Sequence, residues 1–238
     1  TDIWGDGENL NSTQTNTRPK EYAAPEAGGW YEAQPTQQMM DMFWAEKDKD
    51  GNSDYRARAS VAWDYEGCMY YLEPFREKFG SDKWNSYWIL KYQNWNTAES
   101  EASPPMSCIN ERAIRYADVI LLLAESYLRG SQDLSKAIVY LNQIRERANL
   151  NPYSGAQTYE AVFNDLERQR AIEFFVEGER FYDLRRWGLL EKRMETCNSV
   201  RYKQLMTGKV GDTNRYYYYP IPSKELETNT LCTPNEGW

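Results

Sequence analysis

Apolar positions recur with helical spacing in the second half of the chain and show no sustained period in the first. Between residues 113 and 129, Ile114, Ala117, Val119 to Ala124, Tyr127 and Leu128 make a helix that is apolar on nearly all sides. Such a helix needs cover on several faces. Gly130 offers a C-cap, and Ser131 or Asp133 the next N-cap. Leu134, Ala137, Ile138, Leu141, Ile144 and Ala148 then form one clean stripe to about Asn149. Two helices with small Ala contacts and a tight turn predict an αα-hairpin over 113–149, the length of a tetratricopeptide unit. A lone unit of this kind cannot bury both of its faces. An exposed apolar surface is therefore expected on the first helix. A third helix is predicted from near Thr158, with Val162, Leu166, Gln169, Ile172 and Val176 on one stripe. Gly178 interrupts it, and Phe181, Leu184 and Trp187 begin a further apolar face that ends at Gly188.

Upstream the signals are those of turns. The first ~35 residues are rich in Asn, Thr, Gly and Pro and read as loop. Thr36 is placed to cap a helix from Gln37 to Trp44, with Met39, Met40 and Phe43 on its inner face. Residues 55 to 110 read as short pieces with many aromatics, closed by the helix-breaking Ser103-Pro104-Pro105. The expected organisation is a loop-rich, aromatic-rich segment over 1–110 and a helical region over 111–238. In the tail, Pro220 and Pro222 forbid a helix. Its tyrosines alternate faces there, Tyr216 and Tyr218 against Tyr217 and Tyr219.

Composition narrows the chemistry. The 238 residues include no histidine, which excludes Ser-His-Asp and Cys-His catalysis and His-ligated zinc. Cysteines stand at 68, 108, 197 and 232, so there is no CxxC pair for zinc or dithiol redox work. The four thiols allow three pairings, and no spacing selects one; buried free thiols fit equally. With 28 Lys and Arg against 36 Asp and Glu the net charge is −8, which argues against wrapping nucleic acid. The longest apolar run, Val119 to Ala124, is far shorter than the ~20 residues of a membrane span. The opening Thr1-Asp2-Ile3-Trp4 has no initiator Met and no signal-like region, and reads as a mature or truncated start.

Several ordered segments together resemble one family. Arg115-Tyr116-Ala117-Asp118-Val119 leading into Leu121 to Glu125 is similar to the "RYADVLLLYAEA" helix of SusD/RagB proteins. Leu141 to Ala148 resembles their "LNxVRxRAG", and Gln169 to Trp187 their "ERRxELxxEGxRxxDLRRW". Tyr219 to Leu226 resembles the "YPIPxxEL" close, and Pro234 to Trp238 the ending "QNPGW". Pro35 to Phe43 and Asp54-Tyr55-Arg56 resemble "PTxELxxxF" and "DPR". Gln169 replaces the usual Glu and Tyr55 the usual Pro. The resemblance covers roughly residues 30 to 238. Family members are longer, so this chain is expected to be a C-terminal half, the other half carrying the lipid-anchor cysteine and more helix pairs.

The resemblance implies a mainly α fold with tetratricopeptide-like helix pairs and long loops. It implies a lipoprotein on the extracellular face of a Gram-negative outer membrane. Its partners would be a SusC-like TonB-dependent transporter and a glycan or other nutrient, without cofactor, metal or catalysis. The rivals are a helical glycoside hydrolase and a protein-docking scaffold that binds no ligand.

Glycan binding directs attention to aromatics, because an indole face matches the apolar C–H face of a sugar ring. Seven of the nine tryptophans lie within residues 1 to 95. Loop-borne Trp4, with Asp6 and Asn9 beside it, and Trp30-Tyr31 after Gly28-Gly29 are the favoured ligand contacts. Trp88 joins them, although its helical spacing from Trp84 more often marks core. Two constellations read as structural. Asp48, Asp50, Asn52 and Asp54 alternate like a calcium loop, but Ala59 stands where a bidentate Glu is needed. Glu173 and Glu177 have dyad-like spacing, but Arg170 and Arg180 nearby would hold both ionised, against the raised pKa of a general acid.

Overall fold

The computed structural model describes residues 17–96, 101, 109, 111–195, 203–204 and 218–238. Its contacts divide the chain into two compact units, Thr1–Glu177 and Gly178–Trp238. The boundary expected at 110 lies inside the first unit.

The first unit begins with α1 (Arg18–Tyr22) and α2 (Gln37–Trp44). Thr36 caps α2 as its chemistry predicts, its hydroxyl accepting from the Met39 N–H at 3.2 Å. Met40 and Phe43 are fully buried and Met39 partly so. Asp54 caps α3 (Tyr55–Ser60) by accepting from the Arg56 N–H at 3.0 Å. Four two-residue strands follow: β1 (Val61–Ala62), β2 (Met69–Tyr70), β3 (Glu73–Pro74) and β4 (Trp88–Ile89). β1 pairs antiparallel with β4, Ala62 opposite Trp88, and β2 with β3, which leads into α4 (Phe75–Lys78).

Ladders this short are held by side chains rather than by backbone bonds. Tyr70, Tyr71, Phe75, Phe79 and Trp88 build an aromatic core beneath them. Phe79 and Trp88 stack with centroids 5.0 Å apart and planes 2° from parallel. The buried Tyr70 hydroxyl accepts from the Ala24 N–H at 2.9 Å and donates to Gln93 Oε1 at 3.0 Å, so its polarity is satisfied.

The helical part is α5 (Tyr116–Ser126), α6 (Leu134–Arg147) and α7 (Tyr159–Glu173). Asp133 and Thr158 cap the last two, accepting from the N–H of Lys136 at 3.0 Å and of Ala161 at 3.3 Å. Gly130 is not the cap of α5. The helix widens into a π turn over Tyr127–Ser131, and Gln132 takes the left-handed position at φ 54°. α5 and α6 form the expected hairpin, with Ala124, Leu121 and Leu128 against Ala137, Leu141 and Ile144. Tyr127 stacks on Tyr140, and α7 adds Val162 and Leu166. The opposite side of α5 is open: Tyr116 is 76% exposed and Val119 50%, with Leu122 and Leu123 beside them.

α7 ends at Glu173, short of the expected Val176, because Val176 (φ 63°) and Gly178 (φ 93°) both turn the backbone left-handed. The second unit contains α8 (Glu179–Arg186), α9 (Leu190–Arg193) and α10 (Ser223–Thr228). Leu184 and Leu190 are buried in it. Tyr218 and Tyr219 are held by the chain end, where Trp238 Nε1 and Asn235 Nδ2 donate to their carbonyls at 3.1 and 2.7 Å. Tyr216 and Tyr217 lie outside the described residues.

One ion-pair lattice ties the first unit together. Glu173 accepts from Arg56 at 3.3 Å, from Arg115 at 2.8 Å and from Arg147. Glu177 accepts from Arg115 Nε at 2.7 Å and from Lys91. Arg170 pairs with Asp118 at 2.8 Å, and the Phe174 ring lies 4.8 and 4.9 Å from the Arg115 and Arg170 guanidinium carbons. The expectation put Glu173 and Glu177 on one helix beside Arg170 and Arg180. Because α7 stops at Glu173, the carboxylates instead meet cations from α6, from α3 and from the entrance to α5.

Candidate functional site

β1 and β4 are buried along their length, so aromatics can reach the surface only where this ladder ends. The next pair outward is Trp63 and Tyr87, and both are half-buried. Trp44, at the last position of α2, lies between them, 5.8 Å from Trp63 and 6.0 Å from Tyr87. Tyr65 extends the row, its ring 4.4 Å from Trp63. The Arg58 guanidinium lies 4.9 Å from the Tyr65 ring. The four rings form a partly exposed aromatic ledge in which neighbours meet edge-on or tilted, at 65°, 68° and 51°; Trp44, Trp63 and Tyr87 pack on Phe43 and Met40, and Tyr65 on the neighbouring aromatic core.

Polar groups border the ledge. Tyr87 donates its hydroxyl to Gln37 Oε1 at 2.8 Å, and Gln37 Nε2 donates to Asp41 at 2.8 Å. Past Tyr65 a cleft of about 520 Å³ opens, lined by Asp64, Glu66, Cys68, Met69 and Arg76 among others. Arg76 donates twice to Asp64, at 2.8 and 2.9 Å. That bond holds the Asp64 carboxyl below the usual carboxylate range. Burial pushes the Tyr65 hydroxyl up to about 12, and pushes the Cys68 thiol up as well. At neutral pH the cleft thus offers an ionised acceptor, a guanidinium donor and a protonated phenol. This set can hydrogen-bond a polyol, but none of the three is tuned to shuttle a proton.

The sequence-favoured residues are placed differently. Trp88 is 3% exposed and stacked on Phe79, so it belongs to the core and has no free face for a ligand. Its chain neighbour Tyr87 is half-buried, with its hydroxyl reaching Gln37 at the surface. Trp30 and Tyr31 are 42% and 54% exposed against α1, where the Lys20 ammonium lies 5.0 Å from the Trp30 ring. The turn before them needs a bare backbone, since a Cβ on Gly29 would lie 2.1 Å from the Ala23 carbonyl oxygen. Trp4, Asp6 and Asn9 lie outside the described residues. Trp44, Trp63, Tyr65 and Tyr87 were not singled out by sequence. Period-2 alternation puts Tyr87 and Trp88 on opposite faces, but only the pairing of β4 with β1 says which of the two is buried.

The other constellations are structural. Burial pulls the Glu173 carboxyl upward, but the Arg115 hydrogen bond and the charges of Arg147 and Arg56 outweigh it and hold the group low. Asp48 Oδ1 accepts from the N–H groups of Asp50 and Asn52, at 3.0 and 2.8 Å. Asp54 grips the Arg56 side chain, and Asp50 accepts from Asn149 at 2.7 Å. Among the described residues, no three acids or thiols come together to hold a metal ion. Cys68 and Cys232 are free thiols, and Cys108 and Cys197 lie outside the described residues. No helix among the described residues is long and apolar enough to cross a membrane.

Comparison with known proteins agrees with this architecture. The model of the SusD family matches residues 3–238. A SusD superfamily protein of Bacteroides vulgatus, of known crystal structure, is 69% identical with a TM-score of 0.84, over 94% of this chain and 48% of its own. SusD-like protein P2 of Formosa agariphila is 28% identical over 218 residues, 87% of this chain and 40% of its own. The starch-binding protein SusD of Bacteroides thetaiotaomicron is 29% identical over 155 residues. The chain spans less than half the length of each of these relatives.

Proposed function

The chain belongs to the SusD family, and from that premise we propose that it binds carbohydrate, without catalysis, as part of a cell-surface nutrient-uptake protein. The observation that carries this reading is the ledge of Trp44, Trp63, Tyr65 and Tyr87. A pyranose ring would pack against one of its partly exposed ring faces, with hydroxyls reaching Gln37, Asp64 or Arg76 at the borders. The hydrolase alternative is disfavoured because Glu173 is enclosed by arginines that keep it ionised. The partner proposed is a SusC-like TonB-dependent transporter. The location proposed is the extracellular face of the outer membrane, through a lipid anchor carried by the longer protein.

Affinity electrophoresis against a panel of polysaccharides tests the reading. Starch heads the panel because one relative is named for binding it. Retardation is expected with at least one glycan, and Trp63→Ala should weaken it, with a circular dichroism melt to show that the variant folds. Each lost stacking contact removes about 1 kcal/mol, roughly a fivefold weakening. Steady release of reducing sugar from any retarding glycan would instead favour the hydrolase.

A further inference from the structure

A second pocket, of about 210 Å³, opens over the ion-pair lattice between α3, the end of α7 and the residues entering α5. Five cationic side chains line it: Arg56, Lys91, Arg112, Arg115 and Arg147. Against them stand three carboxylates, Glu173 and Glu177 in the wall and Asp54 behind Arg56. The pocket is thus short of two negative charges, in a chain whose net charge is −8.

Gln169 accounts for part of the deficit. It is fully buried, and its Oε1 accepts from Arg56 Nη2 at 2.8 Å. Its Nε2 is buried and has no partner. Arg56 already pairs with Asp54 and Glu173, but an amide rather than a carboxylate at position 169 leaves the lattice one charge poorer.

Donors remain available at the mouth. Arg112 is exposed and forms no ion pair among the described residues. The Arg147 side chain is 49% exposed and touches Glu173 through one amino group only. Lys91 commits two of its three protons, to the Glu173 carbonyl and to Glu177. Tyr55 also lines the pocket. Guanidinium and ammonium groups around a small, partly enclosed space bind carboxylate and sulfate oxygens through charge-assisted hydrogen bonds.

We propose that this pocket binds an oxyanion, a carboxylate or sulfate group, either as a free ion or as the acidic substituent of a saccharide. The proposal is independent of the carbohydrate reading of the ledge, since the residues involved are different ones.

Isothermal titration of the 238-residue chain with sodium sulfate and sodium glucuronate tests it, with sodium chloride at matched ionic strength and glucose as controls. Saturable heat is expected with both oxyanions and with neither control. Tighter glucuronate marks a saccharide substituent as the source, and tighter sulfate a free ion. Arg112→Gln, at an exposed position, should weaken binding about tenfold, the loss of one charge-assisted hydrogen bond. Gln169→Glu should weaken it by supplying the missing charge, and a circular dichroism melt shows whether that variant folds. Trp63→Ala should leave oxyanion binding unchanged. Oxyanion heats no larger than those of chloride would overturn the proposal, as would an Arg112→Gln chain that binds as tightly as the parent.

Discussion

Glu173 concentrates the electrostatics of the first unit in one side chain. Its carboxylate is 3% exposed and receives three guanidinium groups, from positions 56, 115 and 147. Removing one member of a buried charge cluster costs about 3–5 kcal/mol, mainly because the remaining charges lose their partner. Glu173→Gln should therefore lower the urea midpoint markedly. The pH dependence has a definite sign. The folded value of Glu173 is depressed, so its contribution is present in full above the unfolded value of 4.5. It disappears as pH falls from there through the folded value. Parent stability should drop below about pH 4.5, and the Glu173→Gln chain should show a shallower drop in the same series of urea titrations. Little of this was legible in the sequence. The Glu–Arg spacing near 173 was visible, but Arg56 lies 117 positions away and nothing local announces it. The same limit explains Trp88. Its pairing in a two-residue ladder is a long-range fact, and without it the half-buried Tyr87 and the buried Trp88 look alike.

Helices were the most legible elements, because their signals are local. Thr36, Asp133 and Thr158 cap α2, α6 and α7 where the sequence offered caps. The π turn after α5 and the early end of α7 were not visible, since Gln132 and Val176 adopt left-handed backbone without being glycine. The all-round apolar pattern of α5 was read correctly as more surface than one hairpin covers. The two faces of that helix should respond differently to substitution. Leu121 is fully buried, so Leu121→Ala should cost about 2–5 kcal/mol. Val119 is half exposed and near the helix start, where a carboxylate is favoured, so Val119→Glu should stay within about 0.5 kcal/mol. Urea unfolding followed by circular dichroism measures both. A large loss from Val119→Glu would mean that this face is already packed in solution.

At the scale of the whole molecule, family membership was legible because ordered motifs survive where single contacts do not. Those motifs also meet in space: Arg115 and Asp118 of one pair with Glu173 and Arg170 of another. Net charge was legible too, but not its distribution, which leaves a cation-rich pocket on an acidic chain. This uneven field separates two kinds of binding. A neutral glycan on the ledge is held by ring contact and hydrogen bonds, which ions screen little. Its affinity should change less than about twofold between roughly 0.05 and 0.5 M sodium chloride, because the Debye length matters only where charges attract. An acidic glycan of the same backbone would feel both the −8 of the chain and the local cations, so its affinity should move with salt. Paired titrations with a neutral polysaccharide and its carboxylated derivative measure the difference. A steep salt dependence for the neutral glycan would show that ring stacking on Trp44 and Trp63 is not what holds it.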